Sequence, residues 1–298
     1  ARAQDRIFAY TLLLTSGPVG GLVAGVIATE IFGASAGELL IAYAAMQALG
    51  TVVALPMIGA SLRTARLDLA IFKAAVLNGG PMLAVNGIGW FGENGIRYVV
   101  DHIGGSAAFG LMAVGWGLGR RSASVASMLV AVAAFPIAAR LINAGDRDAA
   151  LEQLKTNAAL LTAVLLPSVV GLWLVTDILV DLAVAETYRE VTRSILGLAA
   201  FGGMVRAYHS HATGQMLTLD RRYGLLIIVG LFEIVATAGL AVVGFNMNYL
   251  VGVVLGALIA SGLTLAFSAT IAIRLCGFRF PVADTLRIAL ATAVMGGV

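Results

Sequence analysis

Charged residues are scarce in this chain. Asp, Glu, Lys and Arg together make up 12% of its 298 residues, whereas a soluble domain carries roughly 25%. The single cysteine, Cys276, excludes a disulfide within the chain. Hydrophobic residues reach 60%, so the composition excludes an ordinary water-soluble domain and is typical of a helical protein with many membrane spans.

Long polar segments are missing as well. The gaps between the apolar runs are too short to hold a soluble catalytic domain. The net charge of +3 comes from arginines in these gaps, so it gives no argument for nucleic-acid binding. Paired glycines such as Gly20-Gly21 lie in no strand-to-helix context, so a nucleotide-binding loop is not indicated. The sequence predicts neither a cofactor nor a metal site.

What the chain does have is long apolar runs. About 20 apolar residues are needed to cross a bilayer core of about 30 Å. The last run is too long for one crossing, and the turn-forming residues of Gly244–Asn248 divide it. The sequence therefore predicts eight spans, at about 7–29, 39–60, 74–100, 106–139, 154–176, 194–219, 223–243 and 249–273.

The basic residues alternate between the gaps. Thirteen of the 19 lie at the chain ends or in every second gap, and the other gaps contain only Arg97, Arg189 and Arg193. Cytoplasmic loops are enriched in Lys and Arg. We therefore predict that both ends are cytoplasmic, with Arg63–Lys73 and Arg140–Lys155, and that Asp177–Arg193 is external.

Three arginines fall inside the predicted spans: Arg120, Arg121 and Arg206. Charges at that depth are costly unless they face water or a partner, so we expect all three to line a water-filled cavity. The spacing of Arg120 and Ser124 places them on one helix face. The alternative for Arg120 is an interhelical salt bridge, for which Glu233 is the obvious buried partner.

Further polar residues offer less specific signals. Glu93 and Arg97 are four residues apart, which fits either a local ion pair or a contact with cargo. Arg206 and His209 share a helix face, and a histidine that titrates near neutral pH would suit proton coupling. A structural role for His209 stays open.

Two segments carry a family resemblance. Residues 94–116 resemble a helix-turn-helix in which an arginine-containing span precedes a small-residue turn, and 135–150 resemble the segment joining the eighth and ninth helices of that family. The chain thus resembles polysaccharide-repeat flippases of the multidrug/oligosaccharidyl-lipid/polysaccharide exporter superfamily. Many members have an acidic residue directly before the arginine that matches Arg97, whereas this chain has Ile96 there. The detailed role of that arginine in the family therefore does not carry over to Arg97.

The resemblance implies an all-α polytopic membrane helix bundle of two-lobe MATE/flippase-like architecture, present as a fragment. Residues 1–62 would be the last two helices of the N-terminal lobe and 63–73 a cytoplasmic connector. Residues 74–280 would form the six-helix C-terminal lobe, and 281–298 would begin a further helix.

The implied function is to flip undecaprenyl-diphosphate-linked oligosaccharides across the bacterial inner membrane by alternating access. Arg97, Arg120, Arg121 and Arg206 would bind the anionic cargo because the guanidinium fork suits a diphosphate. The expected coupling or structural partners are Glu93, His209 and Glu233. Expected partners are membrane lipid and H⁺ or Na⁺ as coupling ion; we expect a monomer, with association with polymerase machinery left open.

Two alternatives remain. A cation-coupled multidrug exporter of the same superfamily would need buried acids for cationic drugs, and basic residues outnumber acids in the spans. A membrane-embedded glycosyltransferase or acyltransferase would need long outer loops or an acid at a fixed spacing after a histidine. Neither feature is present, so the chain is predicted not to be an enzyme.

Overall fold

The structure is a computed structural model that describes residues 7–33, 36–58 and 68–297. Within these ranges every regular element is helical. The α-helices are α1 Ile7–Thr15, α2 Gly21–Phe32, α3 Ala36–Ile58, α4 Leu69–Asn143, α5 Arg147–Leu174, α6 Thr176–Ala183, α7 Glu186–Tyr208, α8 Gly214–Leu219, α9 Tyr223–Cys276 and α10 Val282–Gly296. Two π-helical segments, Ser16–Gly20 and His209–Thr213, join α1 to α2 and α7 to α8.

The chain divides into two compact units between Phe72 and Lys73. In the first unit α1 and α2 pack against α3, and the π-helical segment between α1 and α2 contains Pro18. Most of the expected connector, 63–67, lies outside the described residues. Because α4 begins at Leu69, residues 69–73 are helical and not part of a loop.

The second unit contains two long helices that fold back on themselves. The first, α4, breaks at Gly105, whose φ of 77° is accessible to glycine at little cost. Its two arms correspond to the predicted third and fourth spans. The second arm is followed by a turn in which Gly145 has φ 83°, and the Asp146 carboxylate caps α5 by accepting a 3.0 Å hydrogen bond from the amide of Ala149.

The other long helix, α9, breaks at Asn248 and Tyr249, next to the predicted turn. Its two arms approach so closely that a Cβ on Gly244 would lie 2.0 Å from the carbonyl oxygen of Gly252. Glycine at both positions therefore permits the contact between the arms. The predicted division of the last apolar run is confirmed.

Five helical segments of the described residues are long and apolar enough to cross a membrane: Thr11–Ile31, Gly37–Met57, Gly79–Asn143, Arg147–Leu174 and Tyr223–Cys276. Two of them fold back at the breaks in α4 and α9, and the continuous run from α7 to α8 adds another crossing. This agrees with the eight predicted spans. The chain is an all-α, multi-pass membrane protein.

Short connections close the ends of the second unit. The segment predicted to be external contains most of the short helix α6, and Arg193 forms an ion pair with Asp181 there. At the opposite end the Arg147 guanidinium donates to both carboxylate oxygens of Asp220, at 2.8 and 3.0 Å, and to the carbonyl of Cys276. The hydrogen bonds from Arg147 hold the pKa of Asp220 below its ordinary value, and together these contacts tie α5 to the turn between α8 and α9 and to the end of α9.

Candidate functional site

The polar residues of the second unit meet where α4, α7 and α9 pack together. These helices share a core that includes Val100, Trp116, Ala199 and Val253. Beside this core lie two cavities whose walls share Glu93, Arg206 and Ser210. We name them after the residue that distinguishes each: the Glu233 cavity and the Arg120 cavity.

The Glu233 cavity has a volume of about 420 Å³. Its lining residues are Val85, Asn86, Gly89, Trp90, Glu93, Arg206, His209, Ser210, Gly214, Thr218, Leu226, Gly230 and Glu233. The Arg120 cavity is smaller, about 180 Å³. It is lined by Glu93, Arg120, Ser124, Ser127, Gly203, Arg206, Ala207, Ser210 and His211.

Arg206 and Glu233 form a buried ion pair between α7 and α9. The Arg206 guanidinium donates to the Glu233 carboxylate and, at 2.8 Å, to the carbonyl of Gly89. The glycine at position 92 leaves room for the pair, since a Cβ there would lie 2.7 Å from Oε2 of Glu233. The alternative that Arg120 forms a salt bridge with Glu233 is therefore wrong, because Glu233 pairs with Arg206.

Arg120 is buried, and no carboxylate of the described residues is bonded to it. Its Nη1 donates to the carbonyl of Gly202 at 2.9 Å, and its guanidinium lies 4.5 Å from the ring centre of Trp116. Its Nε is buried and has no hydrogen-bond partner among the described residues. The predicted helix face is confirmed, since Ser124 and Ser127 line the same cavity. Arg120 thus has donor capacity left beside a cavity.

Arg121 is not brought to either cavity. Its side chain is exposed and is absent from the linings. Successive residues of an α-helix are rotated by about 100°, so the face that carries Arg120 turns Arg121 away. The structure therefore separates two adjacent arginines that the sequence grouped together.

Glu93 and Arg97 do not form an ion pair, although their spacing permits one. Glu93 lines both cavities and interacts electrostatically with Arg120 and Arg206. Arg97 lines a third cavity of about 480 Å³, together with Trp90, Asn94, Tyr98, Asp101, Ser106 and Phe109. We call this third space the Trp90–Phe109 cavity. Of the four expected cargo arginines, only Arg120 and Arg206 share a site.

His209 lies in the wall of the Glu233 cavity. Its Nδ1 is 3.0 Å from Oγ of Ser268, and that hydroxyl is 2.8 Å from Oγ1 of Thr213. Sequence reasoning missed Ser268. A signal was available, because Ser261, Thr264 and Ser268 recur at helical spacing in an otherwise apolar run and are all buried.

The charges of the two adjoining cavities balance. Arg120 and Arg206 face Glu93 and Glu233, and the other two expected cargo arginines, Arg97 and Arg121, lie elsewhere. An anion in these cavities would therefore be recognised by N–H groups that lack an acceptor, and not by a net positive charge. Among the described residues, no group of three or more His, Cys, Asp or Glu side chains is placed to hold a metal ion.

Comparisons with known proteins identify the family. No curated protein matches the chain. A solved structure of the lipid II flippase MurJ in an inward closed conformation is similar, with a TM-score of 0.60 and 15% sequence identity. The match covers 95% of this chain and 59% of that one, and at this identity it shows the fold alone. A family model described as "Polysaccharide biosynthesis protein" matches residues 3–193, so the chain belongs to the polysaccharide biosynthesis protein family.

Proposed function

We propose that this chain acts in a transporter that flips a diphosphate-linked oligosaccharide repeat unit across the bacterial inner membrane by alternating access. Membership of a polysaccharide biosynthesis family and a fold similar to that of a lipid II flippase support this proposal. The described loops are short, which favours a transporter over an enzyme.

The observation that carries the proposal is the environment of Arg120. A guanidinium has five N–H donors, and in this structure one bonds a backbone carbonyl while the buried Nε bonds nothing among the described residues. Buried donors are nearly always satisfied. A diphosphate oxygen that enters the Arg120 cavity would supply the missing acceptor, and the guanidinium geometry suits two oxygens at once.

Arg206 has a different part in this proposal. Glu233 neutralises it while the cavities hold no cargo, so an entering diphosphate would compete with a carboxylate for the same guanidinium. Glu93 and His209 line the same walls and are the proposed coupling groups, with H⁺ or Na⁺ as the coupling ion. Such competition would link cargo binding to the contact between α7 and α9.

The test is polysaccharide export in cells that depend on the full-length protein. We expect Arg120→Ala to abolish export at near-normal membrane abundance. Arg120→Lys should restore it only in part, because an ammonium keeps the charge but loses the planar fork. Arg121→Ala is the matched control, since the same charge is removed one residue away and outside the cavity, and it should export normally.

Two results would contradict the role of Arg120. Normal export by Arg120→Ala would show that the cavity arginine is dispensable. Equal loss with Arg120→Ala and Arg121→Ala would show that the total charge of the span matters and the cavity does not.

The proposed orientation follows the loop charges. The turn that contains Ala144 would be cytoplasmic, and the start of α7 at Thr187 would be external. Both cysteine variants are made in a protein in which Cys276 is replaced by Ala. An impermeant maleimide applied to spheroplasts, whose inner membrane is sealed, should label Thr187→Cys but not Ala144→Cys. The reverse labelling would overturn this orientation. The transporter is proposed to work as a monomer, alongside polymerase machinery.

A further inference from the structure

The Trp90–Phe109 cavity has no part in the function proposed above. It lies along the first arm of α4 and the start of the second arm, and its volume is about 480 Å³. Three aromatic rings and four polar side chains line it: those of Trp90, Tyr98 and Phe109, and those of Asn94, Arg97, Asp101 and Ser106. Arg120 and Arg206 are absent from its lining.

The spacing of these residues makes the lining one continuous surface. Positions 90, 94, 97, 98 and 101 recur at helical intervals and form a stripe about 16 Å long. The break at Gly105 reverses the chain, and Ser106 and Phe109 of the second arm complete the wall. The aromatic rings of Trp90 and Tyr98 are 51% and 62% exposed, so both are open to a ligand.

The polar groups retain hydrogen-bonding capacity. Nε of Arg97 is buried and has no partner among the described residues. The Asn94 amide nitrogen donates to the carbonyl of Trp90 at 3.0 Å, which leaves its own carbonyl oxygen available. Ser106 donates to one oxygen of Asp101 at 3.0 Å, which leaves the other oxygen as an acceptor. The cavity can therefore both donate to a ligand and accept from it.

The charges of the cavity favour a neutral ligand. Arg97 and Asp101 lie four residues apart in the same wall and their charges cancel, whereas the lining of the Arg120 cavity has two arginines and one carboxylate. A polyhydroxylated molecule meets this condition, since each hydroxyl donates one hydrogen bond and accepts others.

We propose that the Trp90–Phe109 cavity binds the saccharide part of the cargo. The C–H face of a pyranose ring would lie against Trp90 or Tyr98, and its hydroxyls would bond Arg97, Asn94 and Asp101. This inference rests on the proposed function and deepens it. It assigns the diphosphate and the sugar to two separate cavities of the same unit.

The tryptophans allow each cavity to be followed separately. Trp90 lies in the proposed sugar cavity, and Trp116 lies against Arg120. Two versions of the full-length protein are made, each retaining one of these residues, with every other tryptophan replaced by phenylalanine. In nanodiscs, the first is titrated with repeat-unit oligosaccharide released from its lipid by mild acid, and the second with inorganic pyrophosphate.

We expect the oligosaccharide to change Trp90 fluorescence with a measurable Kd. Tyr98→Ala should weaken that binding about fivefold, the scale of one aromatic contact, and Tyr98→Phe should restore it. Phe91→Ala is the matched control. Phe91 is exposed on the same arm and touches the Trp90 ring edge-on but does not line the cavity, so its loss should change the Kd less than twofold.

The inference is overturned if oligosaccharide leaves Trp90 fluorescence unchanged, or if Tyr98→Ala and Phe91→Ala weaken binding equally. The second outcome would identify these rings as an aromatic belt at the membrane surface only. Failure of the proposed function has a different signature: Trp116 would not respond to pyrophosphate, or Arg120→Gln would not reduce that response, whatever Trp90 reports.

Discussion

The two long helices α4 and α9 fold back at a single break, but their glycines have different surroundings. In α9 the two arms touch through Gly244 and Gly252, with backbone against backbone. In the first arm of α4, five glycines have no other atom of the described residues within 4 Å of the point where a Cβ would lie: Gly79, Gly80, Gly87, Gly89 and Gly95. The close contact between the arms of α9 therefore contrasts with the open space beside these five positions of α4, although Gly92 and Gly104 of the same α4 arm are closely packed.

Charge follows the same division. Between its ends α9 carries one ionised residue, Glu233, and that residue is bonded to Arg206. The α4 arms carry Glu93, Arg97, Asp101 and Arg120, and all of them line cavities or interact with residues that do. The comparison teaches that α9 contributes mainly packing surface, with Glu233 as its one charged cavity residue, whereas α4 contributes most of the charged groups that face the cavities.

The largest effect should come from removing the one charge of the α9 interior. Glu233→Ala leaves Arg206 buried and unpaired, with a side chain only 14% exposed, and should cost about 3–5 kcal/mol of stability. Thermal and denaturant unfolding in detergent measure this loss. The double variant Arg206→Met/Glu233→Ala should recover most of it. A single variant as stable as the double would show that the pair does not hold α7 and α9 together.

A smaller loss should follow from separating the arms of α9. A Cβ on Gly252 would lie 1.9 Å from the carbonyl oxygen of Gly244, so Gly252→Ala forces backbone apart and should cost about 1–3 kcal/mol. Gly262→Ala is the control in the same helix, since nothing lies within 4 Å of its added carbon. Equal melting temperatures for the two variants would contradict the claim that the contact between the arms of α9 requires glycine at position 252.

The smallest effect, of opposite sign, is expected in the first arm of α4. Gly87→Ala meets open space and lowers the conformational freedom of the unfolded chain, so stability should rise by about 0.5–1 kcal/mol. The same unfolding experiments measure it. A clear loss of stability with Gly87→Ala would mean that this arm is as tightly packed as α9, which would end the comparison.

Local features of the fold were predictable from the sequence, and side-chain partners were not. Apolar length predicted the spans, and Asn248 marked the turn of α9, because both signals lie in short stretches of chain. The partner of Glu233 depends on how α4, α7 and α9 are rotated against one another, which the sequence does not fix locally. For the same reason Arg97 and Arg121 were grouped with Arg120, although the structure places them elsewhere.

The most direct test of the account is whether the Arg120 cavity is wet and binds a diphosphate. Ser124 lines that cavity, and Ser122 lies two residues away on a different face of the same helix. With Cys276 replaced by Ala, we predict that an impermeant methanethiosulfonate modifies Ser124→Cys in proteoliposomes much faster than Ser122→Cys, because a thiol must ionise in water to react. Inorganic pyrophosphate should slow the modification of Ser124→Cys alone. Equal rates for the two cysteines, or no protection by pyrophosphate, would contradict the claim that this cavity receives the diphosphate.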